Sequence, residues 1–333
     1  MESVACLSSI ERRELFVETA ARAHMTPAVV EKDFWVCWTL GRLFAQPDLS
    51  RLLMFKGGTS LSKVFRLIER FSEDIDLILD WRVLVGEDNP LATRSHTKQE
   101  AWNKAIDTKA VDYIARTLSA TVKQIVAPVC RCELAVDDPH TLNVGYPAAF
   151  SDTYLRPEVR LEIGPLAAWL PYDSYRIRPY AAEAFPHLFE QPDCAVRAIR
   201  AERTFWEKAT ILHHEAYRPE GHQQPSRYSR HYYDLAMMAA SPVKKVALTN
   251  MALLLDVVAF KQRFYRRGWA NYNLAKPGTL KLVPSGHLVP TLERDYAQMR
   301  NMIFGRYPSF GEIMETLRTL ERKINDLRQG EPS

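Results

Sequence analysis

Cysteine is scarce in this chain: five residues among 333, in no framework of spacings. An odd and scattered set excludes a disulfide-stapled scaffold and suits a reduced cytosol. Long apolar runs are missing too, and nothing approaches the roughly 18–20 residues that a bilayer span needs. Met1–Cys6 lacks the basic region and apolar stretch of a secretory leader, so a cytoplasmic location without membrane association is expected. Several signatures of phosphate and hydrolase sites are absent. No glycine is followed after a four-residue gap by Gly-Lys-Ser/Thr, which excludes a Walker A loop, and Gly-x-Gly-x-x-Gly does not occur. Without a Gly-x-Ser-x-Gly elbow a hydrolase triad has no support. Without His-Glu-x-x-His, the neighbouring His213, His214, His222 and His231 do not form a metalloprotease site. Cys130 and Cys132 lack the second pair that a zinc site needs and read as packing residues. What is present is ordinary for a globular protein, with 47% hydrophobic and 25% charged residues. The length allows one large or two modest domains. A net charge of +4 and a pI of 8.7 permit a nucleic-acid partner without requiring one.

One stretch carries most of the chemistry. Leu52-Leu53-Met54-Phe55 is a short apolar run ended by Gly57-Gly58, the form of a buried strand running into a turn. Paired glycines let the backbone turn sharply and approach a ligand closely. Thr59 is placed to cap a following helix whose apolar face is Leu61, Val64, Phe65 and Ile68. The free N–H groups at that helix start would make a phosphate seat over Lys56, Gly57, Gly58, Thr59 and Ser60. A second strand follows, in which Asp74 and Asp76 alternate with Ile75 and Leu77, so the two carboxylates share one face. Two carboxylates beside a phosphate seat point to a divalent metal, Mg²⁺ or Mn²⁺, on a nucleoside triphosphate (NTP). The plainer alternative is an ordinary strand–helix–strand unit with solvated aspartates.

The run Lys-Gly-Gly-Thr-Ser-Leu … Arg-Phe-Ser-Glu-Asp-Ile-Asp-Leu closely resembles the AbiEii family of nucleotidyltransferases. These are the toxin components of type IV toxin–antitoxin systems, within the DNA polymerase β-like superfamily. Their pattern of Gly-Ser/Thr, helix and Asp-x-Asp is met here by Gly58-Thr59 and Asp74-x-Asp76. The string Val-Glu-Lys-Asp-Phe-Trp-Val at 30–36 resembles the family's N-terminal segment. Glu31-Lys32-Asp33 can line a site or form a surface charge cluster, and the surface reading is preferred.

The resemblance implies a mixed-sheet nucleotidyltransferase core, an α/β (α+β) fold, with a mainly helical C-terminal half. We place the boundary so that 1–194 is the nucleotidyltransferase domain and 195–333 the helical domain completing the cleft. A polymerase-like site needs a third carboxylate on a neighbouring strand. In Glu158-Val159-Arg160-Leu161-Glu162-Ile163 the alternation is strict, and Glu162, late in the strand, is the choice, with Glu158 as substitute. Glu202–Lys208 resembles the family's helix with an essential lysine, matched by Lys208. Arg230–Leu235 resembles its later motif with an essential aspartate, matched by Asp234. Lys208 would neutralise phosphates, Asp234 would orient Lys208 or contact the nucleotide, and Arg230 would contact phosphate. Lys261, Arg263, Arg266, Arg267 and Trp269 mix cations with flat rings, which suits RNA or simply a helix end.

The rest of the chain reads as helices opened by Ser8–Glu11, Thr26-Pro27, Thr97–Glu100 and Ser309–Glu312. Strands are expected at 129–136, 141–150 and 175–179, one helix over 243–264, and turns with a short hairpin over 268–290. Residues 83–97 read as a loop, and the last few residues as frayed. The resemblance further implies transfer of a nucleotide to the 3′ end of tRNA, blocking translation, and an antitoxin encoded alongside. Two other functions remain open: transfer to a protein, including Ser60 or Ser62 of the chain itself, and a sensor that binds a nucleotide without transferring it.

Overall fold

The computed structural model describes residues 1–86, 92–151 and 155–327. The expected loop residues Asn89 and Pro90 and the expected frayed end lie outside them. The described residues form two compact units: Met1–Val64 with Phe71–Ile199, and Phe65–Arg70 with the chain from Arg200 on.

The first unit is built on one mixed sheet of seven strands among the described residues. In chain order they are β1 (Leu53–Lys56), β2 (Ile75–Leu79), β3 (Arg131–Leu134), β4 (Thr141–Gly145), β5 (Glu158–Gly164), β6 (Tyr172–Ile177) and β7 (Cys194–Ile199). Their spatial order is β3-β4-β5-β2-β1-β7-β6. β2 is antiparallel to β1 and parallel to β5. The alternation read in β5 holds: Val159, Leu161 and Ile163 are buried, and Glu158, Arg160 and Glu162 are only half so. The Asp137–His140 turn joins β3 to β4, with the Asp138 carboxylate accepting from the His140 N–H and the Thr141 hydroxyl. β7, the parallel partner of β1, falls where the sequence reads as the start of the helical half. Its apolar residues are too few and too mixed to signal a strand without its neighbours, β1 and the antiparallel β6.

Two helices brace this sheet. Ser9–Ala23 opens on a complete capping box of Ser8 with Glu11. Pro27–Phe44 opens on Thr26 with proline at its first position. The second is buried on nearly every face, with Phe34, Trp35, Trp38 and Leu40 in the core and the Trp35 ring stacked on Tyr146. Its Glu31-Lys32-Asp33 is therefore no surface cluster, because all three residues are under 4% exposed. The third expected cap is also displaced. The helix after the 83–97 region starts beyond Ser95, and Thr97 lies inside it. It runs to Tyr113, widens into a π turn at Ile114–Leu118 and resumes as Ser119–Val126.

In the second unit, Ala201–Ala216, Ser229–Ala239 and Phe310–Asn325 are the central helices. Phe205, Trp206, Leu212, Tyr232, Leu235 and Leu317 supply fully buried side chains. The expected continuous helix over 243–264 is broken at Asn250, whose side chain accepts from Leu253 N–H and starts a new helix, Met251–Phe264. The expected hairpin within 268–290 is not formed. That segment contains two short 3₁₀ turns, Tyr272–Leu274 and Gly286–Leu288. No helix of the described residues is long and apolar enough to cross a membrane.

Candidate active site

Each unit holds one group of the expected site residues. In the first, β1 ends at Lys56 and the chain enters a seven-residue helix, Gly57–Lys63. Gly57 takes φ +80°, in the left-handed region that favours glycine. A Cβ built on it would collide with the Asp76 carboxylate, so the turn and this carboxylate are packed directly together. Thr59 does not cap the helix, which has already begun at Gly57. Its buried hydroxyl instead donates to the Asp74 carbonyl at 2.5 Å, tying the helix to the entry of β2. Ser60, fully buried, donates to the Gly57 carbonyl at 2.9 Å, and Ser62 donates to the Thr59 carbonyl. Burial removes Ser60 as a self-acceptor. The helix also ends earlier than its apolar pattern suggests, because Phe65–Arg70 packs with the other unit and Arg66 turns into positive φ.

Asp76 on β2 pairs in register with Glu162 on the parallel β5, while Glu158 pairs with Gly145 at the far end of β5. Parallel neighbours in register project to the same face. Glu162, not Glu158, is thus the carboxylate beside Asp76. Asp74 stands one residue before β2. Burial, then the adjacent Glu73 and Asp76, raise its pKa, and Lys32 and Arg160 oppose them.

Lys32, for which the sequence reading prefers a surface position over a site-lining one, is buried. Its ammonium is ion-paired with Glu73 at 3.1 Å, donates to the Arg156 carbonyl at 3.0 Å and donates to the Glu158 carbonyl. All three of its protons are used. It thereby links the residue before Asp74 to the start of the strand carrying Glu162. Its neighbours are equally committed. Glu31 accepts from the N–H groups of Ala149 and Phe150, and Asp33 pairs with Lys63 at 2.7 Å and accepts from Tyr180 N–H.

In the second unit, Lys208 and Asp234 meet as expected: the ammonium is 2.7 Å from Asp234 Oδ2. Arg70 joins them, donating from Nε to Asp234 Oδ1 at 2.6 Å and from Nη2 to Oδ2 at 2.8 Å. All three side chains are at least nine-tenths buried. Burial acts to raise the Asp234 pKa, but the two cations outweigh it and hold the carboxyl well below its usual range. Burial lowers the Lys208 pKa, with Asp234 opposing. His231 Nδ1 lies 3.4 Å from the Lys208 ammonium, and burial, then that ammonium, keep the ring neutral, so Nδ1 accepts. Arg230, half-buried, contributes positive charge to both.

The expected RNA-contacting group is partly occupied within the protein. Lys261 donates to the Glu207 carbonyl at 3.0 Å. The Trp269 ring has the guanidinium groups of Arg218 and Arg267 at 4.9 and 5.7 Å from its centroid, with His214 tilted against it. Arg266 and Arg267 are exposed, Arg263 half-buried.

Residues 38–317, well over half of the chain, match the family described as Nucleotidyl transferase AbiEii toxin, Type IV TA system. The chain belongs to the AbiEii family. Among solved structures, this AbiEii chain is similar to MenT4, a nucleotidyltransferase toxin from Mycobacterium tuberculosis H37Rv. The identity is 16% and the TM-score 0.47, over 97% of this chain and 91% of that one. No curated protein matches the AbiEii chain. Among its described residues no three His, Cys, Asp or Glu side chains converge on a ready-made metal cage. A pair of in-register carboxylates nevertheless fits Mg²⁺, which takes one or two protein carboxylates and completes its shell with water and substrate phosphate.

Proposed function

We propose that this AbiEii chain moves a nucleoside monophosphate from an NTP to an acceptor hydroxyl, with the 3′ end of tRNA as the acceptor. The observation that carries this reading is the placement of Asp76: in register with Glu162 on one side and packed on Gly57 of the glycine turn on the other. Two carboxylates on neighbouring parallel strands, one of them packed on a glycine turn that opens a helix, suit an NTP with a divalent cation.

In this reading Asp76 and Glu162, with Asp74 beside them, would hold Mg²⁺ or Mn²⁺, which would supply charge neutralisation for the phosphate oxygens. The N–H groups opening the Gly57–Lys63 helix face the phosphates, and the hydroxyls of Thr59 and Ser60 brace that turn from behind. Glu162 favours loss of the acceptor hydroxyl proton. The acceptor oxygen bonds to the α-phosphorus as the bond to the β-phosphate oxygen breaks, and pyrophosphate leaves with the electron pair. Lys208, aimed by Asp234, neutralises the leaving group, with Arg230 nearby. Positioning and charge supply most of the catalysis in such chemistry, so no covalent nucleophile is needed. Arg70, on the Lys208 side, precedes Asp74 by four residues. Arrest of translation, a cytoplasmic setting and a cognate antitoxin are parts of the same proposal, supported by the family's type IV toxin–antitoxin description.

The test incubates the protein with each labelled NTP in turn and total tRNA. Label in RNA with wild type, and none with folded Asp76→Ala, is the expected result. Label on protein instead of RNA would replace the acceptor, and undiminished transfer by Asp76→Ala would remove the carboxylate assignment.

A further inference from the structure

The segment Phe65–Arg70 interrupts the first unit in sequence and is built into the second. Its anchoring is specific. The Glu69 carbonyl accepts from Phe304 N–H at 2.9 Å, its carboxylate from Arg306 N–H at 3.0 Å, and Arg70 forms a β-bridge with Ile303. Gly305 lies so close to the Glu69 carboxylate that a Cβ there would collide with it. The outcome is a guanidinium, 5% exposed, held in a two-point fork on Asp234.

That fork changes what Asp234 can do. One carboxylate oxygen accepts from Arg70, and the other accepts from both Arg70 and Lys208. The Asp234 carboxylate is saturated by cations, which disfavours a direct contact with nucleotide. A planar fork also fixes the carboxylate's rotation, as a single-point ammonium cannot. A lone buried Lys–Asp pair would be electrically neutral and a weak partner for phosphate. A second cation on the same carboxylate offsets its charge.

We propose that Arg70 is a positioning residue for nucleotide transfer: forked on Asp234, it locks the rotation of the carboxylate that aims Lys208 and offsets that carboxylate's negative charge. This rests on the nucleotidyltransferase reading above. His231 completes the seat by accepting from Lys208 on a second side.

The experiment compares Arg70→Gln, Arg70→Lys, Asp234→Asn and Arg70→Gln/Asp234→Asn with wild type. It measures thermal melting, binding of a non-hydrolysable NTP analogue, and KM and kcat at varied NTP. Arg70→Gln is expected to weaken analogue binding and raise the NTP KM roughly tenfold or more, as for a lost charge-assisted contact. The KM for tRNA should change little. Arg70→Lys, which keeps charge but not the fork, should recover part of the loss. The double variant should be no worse than the poorer single change, because both act on one unit. A folded Arg70→Gln with wild-type analogue binding and NTP KM would overturn the proposal. If Arg70→Gln does not fold, a folded Arg70→Lys with unchanged NTP KM overturns it equally. Wild type that binds no analogue sinks the nucleotidyltransferase reading itself, and this proposal with it.

Discussion

Gly57 offers a test in which geometry sets the size of the effect. Its φ of +80° costs an alanine about 1–2 kcal/mol by itself. Gly221 provides the control, because it has nearly the same φ, +83°, but only open space where a Cβ would go. Gly221→Ala should therefore show the backbone cost alone. A cost of 1 kcal/mol corresponds to roughly 2–4 °C of melting temperature in a unit of this size, so a drop of about 2–8 °C is expected. Gly57→Ala adds a collision with the Asp76 carboxylate, and either the turn or the carboxylate must move. A displacement of about 1 Å in a reacting constellation costs on the order of 100-fold in rate. Gly57→Ala should thus melt at least as far below wild type as Gly221→Ala, with nucleotide transfer down about 100-fold. Transfer by Gly221→Ala should stay near wild type. The assay is melting by circular dichroism beside incorporation of labelled NTP into RNA. Folded Gly57→Ala that transfers within threefold of wild type would refute the reasoning that the turn and Asp76 form one site.

Lys32→Met should lower stability by on the order of 2–3 kcal/mol, seen as a fall in denaturant midpoint, since it strands Glu73 and two carbonyl oxygens; an unchanged midpoint would show that the buried ammonium contributes nothing. His213 should make the protein acid-sensitive. Its ring accepts from Lys281 N–H at Nδ1 and donates from Nε2 to the Asn271 carbonyl, and burial, against that carbonyl, brings its pKa from 6.5 to about 4. The unfolded chain then binds the extra proton first, so stability falls as pH drops from 6.5 to about 4, by on the order of 3 kcal/mol. His213→Gln should flatten that slope in melting curves, and an identical slope in the variant would assign the acid sensitivity elsewhere. Lys208→Ala should impair use of the triphosphate, and a wild-type NTP KM and kcat would take Lys208 out of the site.

Much of the sheet around the site was legible because its signals are local. The strict alternation of Glu158–Ile163 determines which side chains face the core, and the capping boxes at Ser8 and Ser309 each lie within four consecutive residues. β7 was missed because its few and mixed apolar residues do not mark a strand, and its ladders with β6 and β1 exist only in the folded sheet. The helix over 243–264 was read through Asn250 because its apolar pattern continues past it, while the asparagine cap is visible only in the folded backbone. Thr59 was misjudged for the opposite reason: it has the right chemistry for a cap, but Gly57 starts the helix two residues earlier and leaves its hydroxyl for Asp74.

The charged residues of the site show why function was harder to read than fold. Asp74, Asp76 and Lys208 stood out by motif, whereas Lys32 and Arg70 lie inside the family-like strings with nothing local to mark their role. What distinguishes them is burial, and burial is tolerated only because acceptors arrive from far along the chain: Glu158 is 126 residues from Lys32, and Asp234 is 164 from Arg70. No window of sequence contains both members of either pair. Each cation also sits one step behind a residue that the motif does mark, Lys32 behind Asp74 through Glu73, Arg70 behind Lys208 through Asp234. A motif exposes the groups assigned to touch substrate, while the groups that hold them still are specified by the fold. For this chain the second set is where a neutral substitution should do the most unexpected damage.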